Sequence, residues 1–245
     1  MRFDHLVHWV PDREEAVAAY RAAGLHVVIG GEHPGWGSHN ALCHFGLPYV
    51  EIIALHDPAL APMGPASVFR QAEELIAVGG GALTFAVSVF DIHGAIAKLQ
   101  ERGIWVSDPA PGKRRRPDGS TVAWRTAGIA DGPAWRPFLI EWEEDDPIRL
   151  AGLREGGIDS PHPCGATALT YLTITCPKPE FDAEWCGRLA GEVPIQDGDG
   201  WRVELPACEV RFVPGKETRV VAVGVEGLGA SEVPLFGVTL RPAGE

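Results

Sequence analysis

Three stretches of the chain repeat one pattern of apolar and polar positions. Residues 3–10, 82–89 and 168–175 are rich in β-branched and aromatic side chains, a composition that predicts strands. Each run then gives way to helix chemistry. In the first, Asp12 and Glu15 form a D-x-x-E cap, Ala16, Val17, Ala19 and Tyr20 supply apolar positions, and Gly24 suits a left-handed stop. Asp91 and Gly103 bracket Ile92, Ala95, Ile96 and Leu99 at the same spacing. A third helix follows Pro177, carries Phe181, Trp185 and Leu189, and ends at Gly191. Three short apolar runs follow each helix: residues 25–29, 40–45 and 49–55, then 104–107, 121–125 and 138–142, then 203–205, 209–213 and 219–225. Arg116-Pro117-Asp118-Gly119, just before Thr121, is hairpin-turn chemistry.

The unit is therefore a strand, a helix and three strands, recurring about every 80–85 residues. This is an α+β fold of repeated βαβββ modules. One module alone exposes half a sheet and an open edge. Two modules together close into a cup-shaped half-barrel whose inward residues share a cavity. Residues 1–146 supply the pair, with 57–79 as a connector holding a helix around residues 65–78. Residues 147–163 read as a linker, and 164–245 as a third module without a partner in the chain. Packing on the cup and pairing with another subunit both stay open for that module; the second implies a homodimer.

Charge and composition narrow the function. A net charge of −12 argues against nucleic-acid binding, which needs a basic face. There is no apolar run of about 18 residues, so no membrane helix is expected. The N-terminus lacks a charged stretch followed by a long apolar run, so no signal peptide is expected. The five cysteines show no C-x-x-C spacing; reduced thiols in the cytoplasm are the simpler expectation than disulfides or a zinc-thiolate site. No P-loop, dinucleotide fingerprint, G-x-S-x-G or H-E-x-x-H motif occurs, so no nucleotide cofactor is expected.

The opening Asp4-His5-Leu6-Val7-His8-Trp9-Val10-Pro11-Asp12 and the strand Tyr49-Val50-Glu51-Ile52-Ile53 resemble a module of the vicinal oxygen chelate (glyoxalase/bleomycin resistance/dioxygenase) superfamily. Gly37-Ser38-His39-Asn40-Ala41-Leu42, Arg116-Pro117-Asp118-Gly119 with Trp124-Arg125, and Pro137-Phe138-Leu139-Ile140-Glu141-Trp142 resemble its glyoxalase-like domain family, over roughly residues 3–190. The resemblance implies a small-molecule substrate and a divalent metal (Zn, Ni, Mn or Fe) held by a His or Gln on the first strand and a Glu on the last strand of each module. An imidazole and carboxylates can hold such an ion with positions left open for substrate.

In module one the implied ligands are His5 and Glu51, which are also the candidate catalytic pair. In module two the corresponding positions are Thr84 and Ile140. Glu141, one residue on, faces the other way on a regular strand, and a bulge would be needed to make it a ligand. His39 is a further candidate at the cup mouth, with Asn40, Trp9, Arg116, Trp124 and Arg125 as candidate substrate contacts. Trp36, Phe85 and Trp142 are candidate lining residues. For His5 the alternative is a hydrogen-bonded core histidine. Glu51 sits in an apolar strand and must be paired or face a cavity; it could also act as a general base. His8, out of phase with His5, should face the helix layer or solvent. His26, His33, His56, His93 and His162 read as surface residues, and Arg114 and Arg115 as a solvated hairpin tip. Two functions stand side by side: a lyase, isomerase or dioxygenase acting on a small oxygenated compound, or a metal-free, non-catalytic small-molecule binder.

Overall fold

The computed structural model describes residues 1–33, 35–57, 59–60, 72–115, 119 and 121–244. Module one runs β1 (Arg2–Trp9), α1 (Arg13–Ala22), β2 (Val28–His33), β3 (Ser38–His44) and β4 (Tyr49–Leu55). The Asp12 side chain caps α1 by accepting from Glu15 N at 2.7 Å, and the stop at Gly24 has φ of +79°. Helix α2 (Ala72–Ala77) ends the connector; residues 65–71 of the helix expected there lie outside the described residues. Module two runs β5 (Gly81–Ser88), α3 (Ile92–Glu101), β6 (Ala110–Arg115), β7 (Thr121–Gly128) and β8 (Phe138–Trp142). Asp91 caps α3 through Gly94 N. The turn expected at Arg116-Pro117-Asp118 lies outside the described residues.

Each module pairs its first strand parallel to its last, β1 with β4 and β5 with β8, and the other two strands add antiparallel. β1 and β5 join the modules antiparallel, which produces the open cup. Residues 147–155 of the expected linker belong to a helix, α4 (Asp146–Glu155).

The second half begins with β9 (Ala168–Cys176) and α5 (Pro179–Ala190) and continues with β10 (Ile195–Asp197), β11 (Gly200–Val203) and β12 (Glu209–Pro214). β12 lies parallel to β9. Two strands differ from the sequence reading. Residues 104–107 form no strand, Val106 making only an isolated bridge to Ile129, and the first strand after α3 is β6 at 110–115. The other difference lies in the second half. Residues 219–225 do not close the third module. They form β13 (Arg219–Glu226), antiparallel to β9 as β5 is to β1. β14 (Val233–Leu235) and β15 (Val238–Pro242) follow, with β15 parallel to β13. A fourth, shortened unit thus partners the third. The cause of the difference is β10, three exposed residues with no apolar alternation. Missing it shifts the strand count by one.

A continuous apolar core runs under both halves. Trp135, fully buried, sits at its junction. Its ring is stacked on Phe85 of β5, edge-on to Trp185 of α5, and 5.0 Å from Phe212 of β12, while Nε1 donates to Asp182 at 3.2 Å. Trp135→Ala should therefore cost about 3–5 kcal/mol, and both halves should melt together in one calorimetric transition. Two separated transitions would contradict a shared core.

His8 makes a second tie. Its Nε2 donates to Phe236 O at 2.9 Å, and its Nδ1 accepts from Tyr20 OH at 2.7 Å. Burial pushes His8 down to about 4, against the opposing hydrogen bond to Phe236, and pushes His44 down to about 4 as well. Both bind protons more readily unfolded, so their contribution is complete above about pH 6.5 and lost as pH falls to about 4. Each is worth about 3 kcal/mol over that window. Melting temperature measured against pH should fall steeply below 6.5, and His8→Gln should make the fall shallower. An unchanged slope in that variant would refute the assignment.

Candidate functional site

Strand alternation divides β1 cleanly. Leu6, His8 and Val10 face the helices, while His5, Val7 and Trp9 face the cup. Val7 and Trp9 join Ile53, Ala86, Phe138 and Ile140 in a second apolar cluster that lines the concave face. Ala72 belongs to it and Leu75 and Ile76 of α2 pack against it, so the end of the connector covers one end of the cup.

At the other end β1 is irregular. Phe3 pairs with Val87 and His5 with Ala86, which leaves Asp4 as an extra residue. Asp4 is fully buried. It accepts from His5 Nδ1 at 2.8 Å, Trp142 Nε1 at 3.0 Å and Arg149 Nη2 at 3.2 Å. Burial alone would raise its pKa, but the His5 hydrogen bond, the Arg149 charge and the Trp142 hydrogen bond together hold it at about 2. An ionised Asp4 can only accept, so Nδ1 of His5 carries the proton. The ring is stacked on Tyr49 at 4.5 Å, and its Nε2 faces Glu51 Oε2 at 3.7 Å.

Glu51, 9% exposed, holds its other oxygen differently. Oε1 accepts from Asn40 Nδ2 at 2.6 Å and lies 3.7 Å from His33 Nε2. Asn40 Oδ1 in turn accepts from Gly31 N at 2.9 Å and Arg114 Nη1 at 3.1 Å. The amide orientation is thereby fixed, with its NH2 toward the carboxylate. His33 donates to or accepts from Ser38 Oγ through Nδ1; burial, opposed by Glu51, lowers its pKa. The result is a polar row, Arg149–Asp4–His5–Glu51–Asn40–Arg114, along one rim of an apolar cup. Its chemical capacity is proton transfer between Glu51 Oε2, His5 Nε2 and whatever occupies the cup.

The structure brings together His5, Glu51, Asn40, Trp9 and Trp124 of the residues singled out from sequence. It turns others away. His39 is out of phase with Asn40 and faces the α1 side, near Arg13, Glu14 and His56. Glu141 is ion-paired to Arg125 and accepts from Ile92 N at the start of α3 at 3.3 Å. Both residues therefore lie on the helix side of module two; no bulge brings Glu141 inward, and Arg125 does not line the cup. Phe85 belongs to the main core. Arg116 lies outside the described residues.

Sequence reasoning missed His33, Arg114 and Arg149. His33 ends a strand weakened by Gly30-Gly31 and precedes Pro34-Gly35, which reads as a turn; it is buried instead. Arg114 was findable by alternation, because Gly112 pairs with Trp124 and Arg114 with Val122 on the same face. Arg149, in the linker helix, gave no signal.

The donor set decides whether the metal implied by the superfamily fits. Module two offers Thr84, whose hydroxyl donates to Arg136 O at 2.8 Å, and, at the place of Glu51, the apolar Phe138 rather than the Ile140 expected from sequence, since Phe138 pairs with Ala86 as Glu51 pairs with Val7. Glu51 Oε1 is already held by Asn40. Among the described residues no group of three His, Cys, Asp or Glu side chains is arranged to hold a metal ion. The two superfamily-position donors fall short of the three protein ligands of a catalytic site, and His33, on the other oxygen of Glu51, forms no metal-holding group with them, so the residues present do not fit a divalent ion.

Comparison with known proteins agrees with this architecture. A triple mutant of 4-hydroxymandelate synthase from Streptomyces coelicolor superposes with a TM-score of 0.56 at 11% identity, over 92% of this chain and 70% of its own. A hypothetical protein from Staphylococcus aureus does so with a TM-score of 0.84 at 18% identity, over 98% of this chain and 97% of its own. The second half is thus part of the shared fold. No curated protein matches the chain. The model of the glyoxalase-like domain matches residues 3–190, most of the sequence and all of the cup, and the chain belongs to that glyoxalase-like domain family.

Proposed function

We propose that the cup is the active site of an enzyme of isomerase or lyase type that moves a proton on a small oxygenated compound without a bound metal. One observation carries this reading: Glu51 keeps Oε2 turned to His5 Nε2, on a histidine whose tautomer Asp4 fixes. Glu51 takes a proton from the carbon next to a carbonyl. The C–H electron pair moves into an enolate, and Glu51 becomes a neutral acid. Return of the proton to a different carbon, from Glu51 or through His5, gives an isomer; departure of a group from the neighbouring carbon gives elimination. The apolar lining excludes water and strengthens these interactions. That same lining, with Phe138 where a second carboxylate would stand, favours the alternative of a cup that binds without turnover.

Untagged protein should contain well below stoichiometric metal. In D2O it should wash deuterium into small carbonyl compounds at a rate insensitive to chelator. Glu51→Gln should slow the exchange by about 10²–10⁴-fold. Stoichiometric metal that is lost in His5→Ala and Glu51→Ala would overturn the metal-free reading; binding with no exchange would leave the non-catalytic cup.

The relay has its own signature. Nitrogen-15 NMR should show His5 protonated at Nδ1 in the wild type. Asp4→Asn should redistribute that proton toward Nε2 and lower exchange by on the order of 10²-fold or more. An unchanged tautomer in that variant would remove Asp4 from the mechanism.

A further inference from the structure

Among the described residues, Arg149 and Arg114 bring guanidinium groups to the polar row of the cup. Arg149 is committed to Asp4 and lies over the Trp142 ring at 4.4 Å. Arg114 is different. It projects from β6, is only partly buried, and its Nη1 donates to a neutral acceptor, Asn40 Oδ1. Among the described residues no carboxylate pairs with it. A guanidinium carries five donors in a flat fork suited to a carboxylate, and one amide oxygen leaves most of that capacity unused.

The backbone is cleared around this group at two places. A Cβ on Gly30 would lie 2.0 Å from Asn40 Oδ1 and 2.9 Å from Arg114 Nη1, and β2 bulges between Ile29 and Glu32 at that point. A Cβ on Gly112 would lie 2.3 Å from Trp124 Nε1. The Trp124 indole thus rests across the Gly112 backbone, on the same strand face as Arg114. A charged fork and a flat apolar plate share one face of the β6–β7 hairpin, and the Asn40 amide lies between the fork and Glu51.

We infer that the cup recognises an arylalkyl carboxylate, a flat apolar ring joined by a short chain to one carboxylate, with the carboxylate on Arg114 and the ring between Trp124 and the Trp9–Ile53 wall. This rests on the reading of the cup as a ligand site around Glu51. The Asn40 amide bridges Arg114 and Glu51, so the two charges stand one amide apart. A carboxylate seated on Arg114 therefore brings its neighbouring carbon to the open oxygen of Glu51, the carbon from which a proton would be taken. One cation beside one carboxylate suits a monoanion; a dianionic phosphate would meet Glu51 with its second charge uncompensated.

Titration calorimetry with 3-phenylpropionate, 3-phenylpropanamide and phenyl phosphate tests this. The acid should bind at least tenfold more tightly than the amide and the phosphate. Arg114→Gln, with an unchanged melting temperature, should erase the difference, and Arg114→Lys should restore part of it. Trp124→Leu should weaken acid and amide alike. Equal affinity for acid and amide, equal loss of both in Arg114→Gln, tighter binding of the phosphate, or no binding of any of the three would overturn the inference. Glu51→Gln separates it from the catalytic reading. An Arg114-dependent preference for the acid without deuterium exchange leaves recognition standing and removes proton transfer. Exchange on neutral carbonyl compounds with no acid preference does the reverse.

Discussion

The carboxylate of Asp4 is buried completely, and the site depends on keeping it charged. An isolated ion in a protein interior costs several kcal/mol. Here three donors from three separate elements offset that cost: His5 on β1 itself, Trp142 on β8 of module two, and Arg149 on α4. Removing any one would leave a buried charge short of partners, so the bulge in β1, the pairing of the modules and the docking of the linker helix are energetically one feature. The histidine that this carboxylate orients is the one that faces Glu51. A packing requirement and a chemical requirement therefore meet in the same side chain.

The cup is closed by different means around its rim. β1 and β5 form the seam between modules. Side chains of α2 cover the end near Trp9, while Trp142 and Arg149 close the end near His5. Along the open edge, Arg114 of module two reaches Asn40 of module one. Among the described residues the second half contributes no side chain to the apolar cluster of the cup, yet it fixes the far side of the same sheet. His8, directly behind the Val7–Trp9 face, is held by Phe236 O, and Trp135 packs module two against α5 and β12. Rigidity at the rim is thus inherited from a core that both halves share.

The repeating module was legible because its signals are local: period-two strands, Asp caps at matching positions and glycine stops. His5 and Glu51 were legible because a polar side chain in an apolar strand demands an explanation. What the sequence could not give is long-range register. β10 has no apolar face, so the strand count slipped and β13 was assigned to the wrong unit. Glu141 is a case where alternation pointed outward and the structure agrees, with Arg125 and the α3 N-terminus as its partners. Asp4 was hidden by the bulge, since regular alternation puts it on the face opposite His5. Arg149 was hidden because nothing in a linker helix reveals that it will meet a carboxylate at the start of the chain.

The repeat also explains why only one cup looks built for a ligand. His5 stands as far before the Asp12 cap as Tyr171 stands before Lys178, which opens α5. Glu51 pairs with Val7 across the parallel strands as Arg211 pairs with Thr173. At the equivalent place in the second half, the Arg211 guanidinium stacks 3.6 Å over the Tyr171 ring, and Glu209 takes Nε of Arg211 at 2.6 Å and Nη1 of Arg202 at 2.7 Å. That network satisfies its charges from within the sheet. In the first half, module two has replaced the equivalents of His5 and Glu51 with Thr84 and Phe138, which pairs with Ala86 as Glu51 pairs with Val7. Module one therefore supplies the charged groups, and module two supplies an apolar wall with one guanidinium on it. Such a division sets Glu51 Oε2 beside His5 and Arg114 beside Asn40 at the space between the modules, where a bound molecule would meet both charges.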